Sequence, residues 1–151
     1  MKYTITKASR DDLKDLILIS KRVTLTNSVK FLGALAQRFI DSGGIVNEAM
    51  ANADYTYKAT LDNKSVGEIA FIGNRINILM VDPDYQRKGV GTALLEFAKD
   101  EIFKEYEEIY LDCFARNAKA NAFYSAKGFT LEASTYDEDL KQNLNRYALT
   151  K

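Results

Sequence analysis

The sequence has no histidine and no tryptophan, and only one cysteine and one proline in 151 residues. Without histidine, Ser-His-Asp and Cys-His catalysis are excluded, and too few soft ligands remain for a zinc site, so no metal is expected. The lone Cys113 rules out an intrachain disulfide and points to a reducing, cytoplasmic compartment. An excess of either charge is also missing, with Lys plus Arg and Asp plus Glu at 21 each. A neutral chain lacks the basic footprint that a general nucleic-acid binder needs. No apolar run approaches the ~20 residues of a membrane span, and the Met1-Lys2-Tyr3 start lacks a leader's apolar core. No Ser/Gly-rich linker, low-complexity tract or repeat divides the chain. Residues 1–151 are therefore expected to form one domain with a full core.

What is present reads as alternating elements. Lys2–Lys7 has a strand pattern, with Tyr3 and Ile5 on one face. Ser9 and Asp12 have the spacing of a capping box, and Leu13, Leu16 and Ile17 follow at helical spacing. A second helical stripe, Phe31, Leu32, Leu35 and Phe39, predicts a helix over 29–40 that Gly43-Gly44 ends. Residues 55–61 and 65–72 read as strands around the polar turn Asp62-Asn63-Lys64. After Gly73-Asn74, residues 76–81 form a short strand that is apolar on both faces, as a central strand is. Residues 90–103 are the strongest helical pattern, and residues 108–114 the next strand. Asn117 caps a short helix over 118–127 that Gly128 ends. Residues 129–133 and 145–150 read as closing strands around a polar loop. Three consecutive strands followed by alternation with helices predict a mixed α/β sheet, antiparallel first and with a later parallel pair.

Between the strand at 76–81 and the helix at 90–103 lies Val81-Asp82-Pro83-Asp84-Tyr85-Gln86-Arg87-Lys88-Gly89-Val90-Gly91-Thr92. A glycine-containing loop that opens a helix presents unpaired N–H groups and the positive end of the helix dipole. Arg87 and Lys88 add charge, and Gly89 and Gly91 allow close approach, so the segment reads as a phosphate cradle. A Walker loop needs Gly-Lys-Ser/Thr, and no lysine stands between Gly91 and Thr92. A dinucleotide fingerprint needs a third glycine where Leu94 stands.

Gln86-Arg87-Lys88-Gly89-Val90-Gly91 resembles the Gln/Arg-x-x-Gly-x-Gly/Ala pyrophosphate loop of the GCN5-related N-acetyltransferases. Val81-x-Pro83 agrees on its flank. A second block, Asn117-Ala118-Lys119-Ala120-Asn121-Ala122-Phe123-Tyr124-Ser125-Ala126-Lys127-Gly128-Phe129, is similar to the family's Asn-x-x-Ala-x-x-Phe-Tyr-x-x-x-Gly-Phe. The resemblance covers roughly residues 76–131. It implies a GNAT-like fold whose mostly antiparallel sheet has its parallel pair at the cofactor site. It implies that backbone amides of Gln86, Arg87, Lys88, Gly89, Val90, Gly91 and Thr92 hold the pyrophosphate of acetyl-CoA. Leu79, Met80 and Val81 would run beside the pantetheine arm, where this strand splays from the next. Asn117 would contact the arm, and Tyr124 matches the family's general acid to the departing thiolate. A homodimer through the closing strands is the family's expectation.

The transfer itself sets further demands. A primary amine is protonated at neutral pH, so a base or a water chain must take a proton before it attacks the thioester. Without histidine the base is a carboxylate, a tyrosine or ordered water. Asp112, twelve residues before Tyr124, stands where ribosomal-protein N-terminal acetyltransferases of the family carry a glutamate. Glu68 is the other candidate. Position 77, often acidic in the family, is Asn77. A backbone N–H near Met80 and Val81 would meet the charge that develops on the carbonyl oxygen. No activated nucleophile is evident, so direct transfer is expected. The amine acceptor, a small molecule or a peptide, is not legible. Residues 24–53 and 134–145 should border its site, and Asp41, Glu48, Asp137 and Glu138 there read as solvated carboxylates or as attraction for a cation. The competing class is an acyl-CoA-binding sensor of the same fold without catalysis.

Overall fold

The computed structural model describes residues 2–151; the part of the leader reading that rests on Met1 lies outside them. Strand β1 (Thr4–Lys7) leads into the capping box. Ser9 N–H donates to Asp12 Oδ2 at 2.8 Å, which closes a short turn and starts α1 (Leu13–Val23). Helix α1 buries Leu13, Leu16, Ile19 and Val23 and continues through a π turn (Thr24–Ser28) into α2 (Val29–Leu32). The helix expected over 29–40 is interrupted at Gly33, whose φ of 58° and ψ of −131° are open only to glycine. It resumes as α3 (Ala34–Asp41). Gly43 ends α3 at a φ of 81°, but α4 (Gly44–Ala51) follows at once. That helix is absent from the sequence reading because adjacent glycines signal a break. Gly44 lies under the Phe39 ring, where a Cβ would come within 2.3 Å of the ring carbons.

Strands β2 (Thr56–Leu61), β3 (Lys64–Ile72) and β4 (Arg75–Val81) form the expected antiparallel run. The β2–β3 connection is two residues, Asp62 and Asn63, both at positive φ, as a tight hairpin of matching twist requires. Helix α5 (Val90–Ile102), strand β5 (Glu108–Phe114) and helix α6 (Ala118–Ala126) agree with the sequence to within a residue. The closing hairpin is longer than expected: β6 (Thr130–Asp137) and β7 (Gln142–Thr150) leave only residues 138–141 as loop. Almost all of β6 is exposed, so it has no alternating buried pattern to read, and its ladder to β7 holds it in place.

The sheet order is β1-β2-β3-β4-β5-β7-β6, antiparallel throughout except for β4–β5. One face carries α5 and α6 over a core of Val66, Ile69, Leu94, Leu95, Ile109 and Leu111. Gly67 is needed there, because a Cβ would sit 3.0 Å from both the Met80 carbonyl and Val90. The other face carries the N-terminal helices, with Leu16, Ile19 and Val23 of α1 buried on it. β4 and β5 pair at a single register position, Arg75 with Tyr110, and separate beyond it.

Candidate active site

The β4–β5 split opens directly beside the β4–α5 loop. Asp82 N–H donates to the Val66 carbonyl, so register parity makes Met80 a hydrogen-bonded partner of Glu68 across β3–β4. The backbone groups of Leu79 and Val81 then point the other way, toward the split. Of the three β4 residues expected along a ligand's arm, two offer backbone to it, while Met80 offers its side chain to the opposite face.

The loop itself is built around positive φ values at Arg87 (62°) and Gly89 (87°). Among the described residues, no carbonyl or side chain accepts a hydrogen bond from the N–H groups of Gln86, Arg87, Lys88, Gly89, Val90, Gly91 or Thr92. Seven successive free donors at the N-terminus of a helix form a concavity for a phosphate-bearing ligand. The loop is fastened from outside. Gln86 Nε2 donates to the Val81 carbonyl at 3.1 Å, and Asn27 of the π turn reaches Gln86 Oε1 at 3.4 Å. Tyr3 donates to the Lys88 carbonyl at 2.6 Å. Arg22 of α1 makes two 2.8 Å bonds to the buried Asp82 carboxylate and one of 3.0 Å to Asp84. Asp82 also caps the Asp84 N–H at 2.9 Å, the local turn that Asp-Pro favours. The Arg22 and Asn27 anchors are invisible in the sequence, because only the tertiary fold brings α1 and the π turn to the loop.

Asn117 caps α6 through the Ala120 N–H at 3.2 Å. Asn121, which the sequence reading gave no role of its own, fixes α6 more firmly. Its Nδ2 donates to the Phe114 carbonyl at 3.0 Å, and its Oδ1 accepts from Asn145 and Tyr147 at 2.8 and 2.6 Å. Tyr124 is thereby held beside β5, packed edge-on against Phe123 and Phe129. Burial, and then the neighbouring Cys113, push its phenol above the usual tyrosine range. No described residue exchanges a hydrogen bond with the Tyr124 hydroxyl. Burial, and then Asp112, raise the Cys113 thiol to about 11, which keeps it a thiol rather than a nucleophile.

The two candidate bases have opposite surroundings. Asp112 is gripped by Arg146 through bonds of 2.9 and 3.0 Å and paired with Arg75 at 3.2 Å. Arg146, and then Arg75, hold its carboxyl below the usual range. Glu68 is 4% exposed and meets no cation among the described residues. Ser20 of α1 donates to its Oε1 at 3.4 Å. Burial first, and repulsion from Glu48 second, raise it to about 7 against the lowering by Ser20. Glu68 and Glu48 face a small cavity of about 30 Å³, room for no more than a water or two, under α1, α3 and α4. Glu48 lies on α4 rather than in a loop, and burial raises its carboxyl as well. Asn77 donates to the Asn52 Oδ1 at 2.9 Å, and Asn52 donates to the Glu48 carbonyl at 3.0 Å, which ties α4 to β4.

The family profile described as acetyltransferase (GNAT) domain matches residues 52–131. The chain belongs to that family. The [ribosomal protein bS18]-alanine N-acetyltransferase of Escherichia coli (strain K12) is 48% identical over 52 residues, 34% of this chain and 35% of that protein. The chain thus aligns with about a third of that relative's length. Two solved structures share the fold. One is the apo form of YjaB from Escherichia coli, with a TM-score of 0.83 at 22% identity over 98% of this chain and 97% of that one. The other is the PaiA N-acetyltransferase of Thermoplasma acidophilum in complex with coenzyme A, with a TM-score of 0.73 at 24% identity over 97% and 98%. Among the described residues no helix is long and apolar enough to cross a membrane.

Proposed function

We propose that this protein is an acetyl-CoA-dependent N-acetyltransferase of the cytoplasm, with a primary amine as acceptor. The observation that carries this reading is the row of seven unpaired N–H groups at residues 86–92, set beside a strand split that exposes the backbone of Leu79 and Val81. The pyrophosphate of the donor binds the N–H row, and its arm lies along β4 in the split. Acetyl-CoA supplies an activated thioester; the chain supplies orientation, a base and an acid.

Glu68 acts as the base and Tyr124 as the acid. They approach from opposite faces of the sheet, so the base can serve the incoming amine and the acid the departing sulfur without competing for one position. Glu68 takes a proton from the ammonium form of the acceptor. The amine nitrogen bonds to the acetyl carbon and sheds its second proton to solvent, the carbon–sulfur bond breaks, and the thiolate takes the phenolic proton of Tyr124. The N–H of Leu79 or Val81 meets the charge on the carbonyl oxygen. Solvent reprotonates Tyr124 and receives the proton from Glu68. Asp112 serves to hold Arg75 and Arg146 rather than to move a proton, because two guanidiniums keep it ionised and engaged.

Thermal unfolding with acetyl-CoA, coenzyme A, ATP and NADH in parallel tests the donor. A ligand at 100 times its Kd adds about 2.7 kcal/mol, a readily measured rise in Tm. A rise with the two coenzyme A ligands alone is expected; none at millimolar acetyl-CoA would sink the reading. Release of free thiol on adding an amine separates the transferase from a binding sensor of the same fold.

A further inference from the structure

The Tyr124 hydroxyl bonds no described residue, so the phenol is aimed only by what holds its ring and its helix. Three rings surround it: Phe123 and Phe129 at centroid distances of 5.3 and 5.5 Å, and Tyr147 of β7 at 6.2 Å. One side chain fixes both the helix and the Tyr147 wall. Asn121 stands three residues before Tyr124 on α6, at a position that the family's block leaves open. Its Nδ2 donates to the Asn117 carbonyl at 2.7 Å and to the Phe114 carbonyl at 3.0 Å. Its Oδ1 accepts from Asn145 at 2.8 Å and from the Tyr147 hydroxyl at 2.6 Å. Both amide hydrogens and both lone pairs of the side-chain oxygen are thus in use. Helix α6, the end of β5 and strand β7 meet at this one amide. The Phe114 carbonyl also matters for the split. Tyr110 N–H donates to the Asn74 carbonyl and Ala115 N–H to the Asn143 carbonyl, so the even-numbered residues of β5 turn their backbone toward β4. The Phe114 carbonyl therefore lies on the split side, where Asn121 Nδ2 and the Asn117 N–H, at 3.0 Å each, take the place of a β4 partner.

We propose that Asn121 is the positioning residue for the Tyr124 acid: it sets where the phenol stands and keeps the end of β5 from closing on β4. Asn121 acts through Tyr124 and exchanges no proton itself. A fully paired buried amide holds its partners to one arrangement, and its removal leaves each of them unsatisfied. Without Asn121 the Tyr147 hydroxyl and the first turn of α6 are released together, and the Tyr124 ring gains room to turn. A displacement of about 1 Å at a reacting group can cost as much as 10²-fold in rate. The assignment rests on the transferase reading above, and it names what aims the acid in that reading.

The test is a double-mutant cycle on the full chain. Single-turnover release of thiol from acetyl-CoA is followed with n-butylamine as acceptor and with water alone, in the wild type, Asn121→Ala, Tyr124→Phe and the double variant. Asn121→Ala is expected to slow release about tenfold, with affinity for coenzyme A within about twofold of the wild type. In the Tyr124→Phe background the same substitution should change the rate by less than about twofold, because the acid it aims is gone. Tyr147→Phe keeps the ring and deletes one bond to Asn121. It should show the same pattern at about threefold, and it carries the cycle if Asn121→Ala does not fold. Equal slowing in both backgrounds, or an unchanged rate in Asn121→Ala, overturns the positioning role and leaves the transferase. A Tyr124→Phe rate equal to the wild type sinks the acid and the positioning role together. Ring-flip NMR on isotope-labelled tyrosine needs no acceptor. The Tyr124 signals, assigned by their loss in Tyr124→Phe, should average at least about tenfold faster in Asn121→Ala. Thiol release from none of the proteins would sink the transferase reading, and unchanged ring flipping would overturn the role of Asn121 on its own.

Discussion

Glu68 and Asp112 sit on the same face of one sheet, and they are prepared for different tasks. Glu68 lies where α1, α3 and α4 cover the sheet; its neighbours are a serine, a second carboxylate and hydrocarbon, and its pKa rises to about 7. Asp112 lies on the arm formed by β5, β7 and β6, which the N-terminal helices do not cover in the same way. There Arg146 and Arg75 approach it, and its pKa falls. The lesson is that cover decides a carboxylate's readiness to hold a proton here more than residue type does. A helix layer strips a carboxylate of water and leaves it able to exchange a proton at neutral pH, whereas an open strand lets arginines collect around its counterpart.

The comparison breaks most readily at Glu68. Glu68→Gln is expected to lower kcat by roughly 10³-fold and to remove a rise in activity centred near pH 7, read from a pH–rate profile. The charged group that faces Glu68 is Glu48 from α4; α1 contributes only the Ser20 hydroxyl to the cavity and the π turn only that of Thr24. Tyr124→Phe should lower kcat by roughly 10²-fold and leave both the affinity for coenzyme A and Tm unchanged, because the hydroxyl bonds no described residue.

The stability of the same variants gives the comparison a sign. Glu68 binds its proton more tightly folded than unfolded, so the folded state is favoured at low pH and loses that advantage as pH rises from about 4.5 through about 7. Glu68→Gln should therefore be more stable than the wild type at pH 8, by up to about 3 kcal/mol, and equal to it at pH 4. Asp112 has the opposite sign, since its lowered pKa stabilises the fold above the unfolded value and is lost on acidification. Asp112→Asn is expected to cost about 1–2 kcal/mol at pH 7 in a denaturant titration, discounted because both arginines are partly exposed. Its kcat should stay within about threefold of the wild type, far short of the factor a proton-transfer group contributes.

Much of this was legible before the structure. The strand at 108–114, the helix that starts at Val90 and the cap at Asn117 followed from apolar period and glycine placement. The loop at 86–92 followed from its two glycines and its position between a strand and a helix. The rest depended on contacts that no local pattern encodes. Helix α4 was hidden behind Gly43-Gly44, and β6 behind its near-complete exposure. The choice between Glu68 and Asp112 depended on Glu48, Arg75 and Arg146, residues that only the folded sheet brings near. Asn77, which in sequence is a missing acid, turns out to bond the tether that holds α4 in place.

The single register pair between β4 and β5 has a consequence for the molecule's mechanics. Where the ladder is joined at one register pair, the two halves of the sheet are held across the seam by the shared core under α5 and α6 rather than by strand hydrogen bonds. Along the seam, the amide protons of Leu79 and Val81 are guarded by no ladder and should exchange with deuterium far faster than those of Ile78 and Met80 beside them. A molecule lying in the seam would act as a splint, so exchange at these two alternate positions reports occupancy even where no reaction follows.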